Sequence, residues 1–90
     1  MSEIKVTIIT SIFNNKKFIG DAINSVNNQT YNNIEHIIVD GNSTDGSKEI
    51  IKNNMNKKII FCSENDKGIY DALNKGIKMS SGDIIGVLHS

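Results

Sequence analysis

Proline and tryptophan are absent from this 90-residue chain, cysteine occurs once, and ten basic side chains cancel ten acidic ones. Each shortage excludes something. A lone Cys62 can form no internal disulfide and no cysteine-rich metal cluster, and its apolar neighbours mark it as a small buried hydrophobe. Balanced charge and a pI near 6.7 leave no basic stripe to gather phosphates, which argues against a nucleic-acid binder. Long hydrophobic runs are missing too. Stretches of the VTII and IIVD kind fall far short of the roughly 20 residues that span a bilayer, and no cleavable apolar leader follows Met1. The expected location is therefore the cytoplasm. Ninety residues make one domain at most, and a chain of this size hides only about 60 to 65 % of its unfolded surface, so its core must be compact.

What is present is isoleucine, 17 residues against 2 leucines. β-Branched side chains suit strands covered on both faces, as in a parallel sheet. Ile4 to Thr10 reads as such a strand, with a polar exit through Ser11 to Asn15. After Asn14 or Asn15 as cap, Phe18, Ile19, Ala22, Ile23 and Val26 recur at helical spacing. Ile34 to Val39 is a second strand, stopped by the turn-rich run Asp40 to Gly46. A thin helix from Gly46 to Asn54 follows, capped by Ser43 or Thr44, with Ile50, Ile51 and Met55 facing inward. Lys58 to Cys62 reads as strand three. Gly68 to Met79 is a helix with Asn65 or Asp66 as cap and Gly82 beyond its end, and Asp83 to Leu88 is the last strand. The order β-α-β-α-β-α-β with right-handed crossovers specifies an α/β fold, a Rossmann-like parallel sheet of about four strands with helices on both faces.

Ligands of such sheets bind beyond the carboxyl ends of the strands. That rim comprises Thr10 to Asn15, Asp40 to Gly46, Cys62 to Gly68 and whatever follows Leu88. It lacks the glycines after strand one that a dinucleotide fold needs, and no Gly-Lys-Ser/Thr opens a helix as in a P-loop. The loop from Asp40 fails as an EF-hand because Asp45 stands where glycine should be and Ile51 where glutamate should be. Cys62 paired with His36 or His89 as a nucleophile would need a strand-buried thiol and widely spaced histidines. The surviving pattern is an acid ending strand two, an aromatic and amides after strand one, and the cluster Glu64, Asp66, Lys67 and Asp71. It suits a nucleoside diphosphate: a carboxylate accepts an imide N–H, an aromatic covers the base and a lysine meets phosphate. The same residues fit a plainer reading in which Asp40 and Asp45 cap a turn and a helix while Lys67 is solvated. Spacing alone leaves both open.

Motif content goes further. Val6-Thr7-Ile8-Ile9-Thr10 with Phe13-Asn14-Asn15, Ser25-Val26 with Gln29-Thr30-Tyr31, Glu35 to Gly46, Asp66 to Gly76 and Gly82 to Leu88 together resemble the N-terminal half of the inverting glycosyltransferase family 2, the A-type nucleotide-sugar transferases. The similarity spans essentially the whole chain. It implies a single domain, residues 1–90, that is the truncated nucleotide-sugar-binding part of such an enzyme. Thr10, Phe13 and Asp40 would then contact the nucleoside, Asp66, Lys67 and Asp71 would lie around the ribose and diphosphate, and Asn14 and Asn42 would complete the donor-nucleotide site. This chain has Gly41 where many relatives carry a second acid.

The resemblance also implies a divalent ion, Mn or Mg, held by a D-x-D motif expected just after Ser90. No residue of the 90 is thus assigned as catalytic or as a metal ligand, and the fragment alone is expected to be inactive. In the longer enzyme the metal would act as Lewis acid and a carboxylate base would activate an acceptor hydroxyl. The implied donor is a UDP-sugar and the implied acceptor a glycan or lipid-linked precursor of a bacterial polysaccharide or envelope. The implied location of the longer enzyme is the inner face of the cell membrane, peripherally bound. No nucleic-acid partner is expected. An open edge at the last strand would invite self-association. The alternative is a stand-alone nucleotide-binding or protein-interaction module without catalysis.

Overall fold

The computed structural model describes residues 4–65 and 68–89. Seven elements alternate along the chain: β1 (Val6–Ile12), α1 (Lys16–Asn27), β2 (Ile34–Asp40), α2 (Ser47–Asn53), β3 (Ile59–Ser63), α3 (Ile69–Met79) and β4 (Ile84–His89). The four strands form one parallel sheet in the order β3-β2-β1-β4. The α/β architecture expected from the isoleucine runs is the one found.

Alternation along the central strands sends successive side chains to opposite layers. On one face Ile12, Ile38 and Ile59 pack with Ile19 and Ile23 of α1 and Ile51 of α2. On the other, Ile9, Ile37 and Val39 pack with Ala72 of α3, flanked by Leu73 and Met79. Each fully buried isoleucine contributes about 1.5 to 3 kcal/mol of transfer free energy. Gly76 allows α3 to lie this close, since a Cβ there would come within 2.5 Å of Ile9 Cγ2.

Several boundaries differ from the sequence reading. β1 begins and ends two residues later than expected, because Ser11 and Ile12 pair with Val39 and Asp40. Polar Ser11 signals an exit locally, but a neighbouring strand holds it in register. β2, β3 and β4 each likewise extend one residue further, to Asp40, Ser63 and His89. Asn15 caps α1 as expected, its side chain accepting from the Phe18 N–H at 3.4 Å. The cap positions of α2 and α3 are Gly46 and Gly68, not Ser43 or Thr44 and not Asn65 or Asp66; both are at positive φ and neither helix has a side-chain cap. Glycine holds those positions because the left-handed conformation is open to it. Met55 is exposed, since α2 has ended by then. Cys62 is only partly buried, because β3 is an edge strand.

The two edges are unlike. Around β4 the cover is incomplete: Ile84, Ile85, Val87 and Leu88 are 54 %, 42 %, 45 % and 37 % exposed. A cavity of about 400 Å³ beside it is lined by Val6, Ile8, Val26, Tyr31, Ile34 and Leu88 among others. Among the described residues no helix is long and apolar enough to cross a membrane.

Candidate functional site

The loops after β1, β2 and β3 meet at the carboxyl rim, and two polar side chains join them. Asp40, the last residue of β2, is fully buried. Its Oδ2 accepts from the backbone N–H groups of Asn42 and Ser43 at 3.1 and 3.0 Å and from the Ser63 hydroxyl at 2.8 Å. Its Oδ1 accepts from the Ser43 hydroxyl. The Asp40 carbonyl takes the Glu64 N–H at 3.0 Å. One aspartate therefore folds its own loop and anchors the exit of β3 to it.

Asn14 does the same between the first and second loops. Its N–H donates to Ser43 Oγ at 2.9 Å and its Oδ1 accepts from the Thr44 N–H at 2.8 Å. Asn14 sits at φ 48°, a left-handed position that asparagine tolerates better than most residues. The Gly41 N–H donates to the Ile12 carbonyl at 2.9 Å. Asp45 adds a third tie, accepting from the Lys16 N–H at 3.1 Å and from the N–H and hydroxyl of Ser47 at 3.0 and 2.6 Å. The Ser47 hydroxyl, more than the backbone donors, holds the Asp45 carboxyl below its ordinary value.

This platform exposes Asn14, Asn15, Thr44, Ser63, Glu64 and Asn65. Phe13 is 61 % exposed, a large aromatic held out at the rim. Asn42, at φ 70°, is also exposed. Its Nδ2 donates to Asn65 Oδ1 at 3.2 Å, and its Oδ1 accepts from Lys48 Nζ. Beyond the platform, Lys75 of α3 reaches Glu64 at 3.0 Å, Asp71 at 3.4 Å and the Asn65 carbonyl at 3.4 Å. The hydrogen bond to Glu64 is the main cause that lifts the Lys75 ammonium above its ordinary value.

Of the residues expected at a nucleoside, Phe13, Asn14, Asp40 and Asn42 converge on this rim. The imide contact expected of Asp40 is not what the geometry supports, because the carboxylate is fully buried and accepts four hydrogen bonds from its own loops. Thr10 does not present its side chain either. It is fully buried, its hydroxyl 2.7 Å from Nε2 of the equally buried His36. Asp71 lies in the first turn of α3 and is paired with Lys75. Asp66 and Lys67 lie outside the described residues. Sequence reasoning missed Ser43, Ser63 and Asn65. The spacing Asp40-x-x-Ser43 is a turn signal that could have revealed the first; Ser63 needed the β2-β3 register.

Among the described residues no group of three His, Cys, Asp or Glu side chains could hold a metal ion. The described carboxylates at this rim are occupied by loop donors or by Lys75. They do not fit a divalent cation, and no step is assigned to one here.

Comparison with known proteins bears on what such a rim serves. The family model described as "Glycosyl transferase family 2" matches residues 7–90. The chain is 36 % identical to the glycosyltransferase GlyG of Streptococcus pneumoniae over 93 aligned positions, covering 100 % of this chain and 31 % of GlyG. It is 32 % identical to GlyA of the same organism, covering 96 % of this chain and 13 % of GlyA. The chain thus spans less than a third of either relative. Among solved structures, S. aureus TarS residues 1–349 with UDP-GlcNAc superposes with a TM-score of 0.87 at 24 % identity, over 94 % of this chain and 26 % of that one. The mannosyltransferase PcManGT of Pyrobaculum calidifontis with GDP-Man and Mn2+ gives 0.85 at 23 %, over 93 % and 26 %. At such identities the superpositions establish the fold.

Proposed function

The chain belongs to glycosyl transferase family 2, and from that premise we propose that its rim is the donor half-site of a transferase that takes a sugar from a nucleoside diphosphate, a UDP-sugar in the first instance. The observation that carries the reading is Phe13, 61 % exposed on a platform whose three loops are already bound to one another. Phe13 stands beyond the carboxyl ends of the strands, where ligands of such sheets bind, and offers an open aromatic face on which a flat base can stack. The superposed folds hold UDP-GlcNAc and GDP-Man, which supports a nucleotide-sugar as that ligand.

In this reading the chain's own residues bind and orient. Phe13 covers one face of the base, while Asp40 and Asn14 hold the surrounding loops in shape before the ligand arrives, which lowers the ordering cost of binding. Lys67 and Asp71 are proposed at the diphosphate and ribose on the family resemblance. A Mn or Mg ion of the full enzyme would be held by residues outside the described ones, and would supply Lewis-acid chemistry. The transfer itself forms a bond from an acceptor hydroxyl oxygen to the anomeric carbon, breaks the bond to the diphosphate oxygen, and passes the hydroxyl proton to a carboxylate base. That base and the acceptor site are proposed to lie in the part of the relatives that this chain does not span, so the 90-residue chain would bind donor without turning it over. The same proposal places the enzyme in the cytoplasm at the inner membrane face, building an envelope or extracellular glycan, and pairs the open, uncharged β4 edge with a second copy.

An NMR titration of the labelled chain with UDP, dTDP, GDP and NAD, with and without manganese, tests the binding claim. The expected result is shifts at Phe13, Asn42 and Asn65 with UDP, little changed by the metal. No response to any nucleotide would favour a protein-interaction module on the same fold.

A further inference from the structure

We infer that Asn42 and Asn65 form an amide pair that reads the edge of the base, a role for which the described carboxylates of this rim are already engaged by other partners. The inference rests on the proposed donor site. Asp40 is fully buried and accepts four hydrogen bonds, and Gly41 beside it has no side chain. Asp45 is held by Ser47 and the Lys16 N–H, while Glu64 and Asp71 are held by Lys75. The hydrogen-bonded frame links exposed Asn42 to Phe13. Phe13 precedes Asn14, whose N–H donates to Ser43 at 2.9 Å, and Asn42 precedes Ser43.

A carboxylate only accepts, whereas a side-chain amide offers a donor and an acceptor side by side. Uracil presents an N3–H donor flanked by carbonyl oxygens, and cytosine presents the opposite order at N3 and the exocyclic position. An amide distinguishes them only if its oxygen and nitrogen cannot exchange places. Here they are held. Lys48, which can only donate, bonds to Asn42 Oδ1, and Asn42 Nδ2 donates to Asn65 Oδ1 at 3.2 Å. The bridge therefore fixes the order of donor and acceptor offered to a base lying on Phe13. Among the described residues Asn42 keeps a second N–H for a base carbonyl oxygen, and Asn65 Oδ1 keeps a second lone pair to accept uracil N3–H, a donor that cytosine N3 lacks.

The test is the ratio of CDP to UDP dissociation constants, measured by titration calorimetry on the whole chain and three variants. Asn42→Gly removes the amide but keeps the positive φ of 70° accessible; Asn65→Ala removes its partner; Lys48→Met frees the amide to turn. Wild type is expected to favour UDP by about tenfold, as one correctly paired hydrogen bond allows. Each variant should bring the ratio to within about threefold of unity, with Lys48→Met losing the least UDP affinity. A wild type that binds both nucleotides equally, or variants that keep the full ratio, would overturn the inference and leave the donor site standing. A wild type that binds no nucleotide overturns the inference and the donor site together.

Discussion

Strand β2 carries a buried carboxylate near each end, and the two are used differently. Near its start, Glu35 accepts from the Thr7 hydroxyl at 2.7 Å, from the N–H of Ser81 at 2.8 Å and from its hydroxyl at 3.0 Å, with Lys5 Nζ at 3.5 Å. Burial raises the Glu35 carboxyl, but the Ser81 N–H, the two hydroxyls and the Lys5 charge outweigh it and hold it below its ordinary value. Its partners come from β1 and from the turn before β4, so Glu35 fastens the beginnings of three strands. At the far end Asp40 is surrounded by neutral donors, mostly local, and what it holds in place is the exposed loop bearing Asn42. One carboxylate closes a structure; the other shapes a surface. A buried acid at the carboxyl end of a strand can thus shape the exposed rim through its own loop.

The largest effect expected is from Asp40→Ala. Four donors lose their acceptor, and even with water entering from the rim the cost should be about 4 kcal/mol. Urea unfolding should show the loss, and UDP binding should disappear with the loop. Glu35→Gln should cost less, about 2 kcal/mol, because the amide oxygen still accepts and the hydroxyls can rotate to receive its N–H. Its UDP affinity should stay within about twofold of wild type. A Glu35→Gln chain that loses nucleotide binding in step with Asp40→Ala would erase the distinction between the two ends.

The element order was legible because each strand is a β-branched run and each of the two longer helices has an apolar stripe: Ile19, Ala22, Ile23 and Val26 in α1 are all buried. The rim was legible as a place, since topology alone puts Phe13, Asn14 and Asn42 there. The role of Asp40 was not. Whether a strand-end carboxylate faces a ligand or its own loop depends on Ser63, which becomes its neighbour only through the register Asp40↔Ser63. Thr10 fails for a similar reason. Its hydroxyl is taken by His36, two residues from its register partner Ile38, a cross-strand contact that no motif prints. Glu35 lies inside a recognised motif yet drew no structural role, because Ser81 and Lys5 are far from it in sequence.

An effect of similar size to that of Glu35→Gln concerns acid, and it separates Glu35 from the residue beside it. His36 follows Glu35 in the strand and so points to the other face of the sheet. Its ring is fully buried, with Nδ1 lacking a partner among the described residues. Burial lowers its pKa from 6.5 to about 4. As pH falls below 6.5 the unfolded chain takes up a proton that the folded chain refuses, so stability is full above that value and declines until the folded ring itself protonates near 4. Between pH 7 and pH 5 the expected loss is about 2 kcal/mol. Glu35 acts later, because its carboxyl is depressed from an ordinary 4.5: its contribution is complete above that pH and lost as pH falls through the lower folded value. Urea midpoints measured from pH 7 to 3 should therefore fall in two stages. Glu35→Gln should keep the first stage and shrink the second. Stability that is level from pH 7 to 5 would mean that the His36 ring reaches solvent in the folded chain, and the second stage alone would then report on the end of β2 that Glu35 fastens.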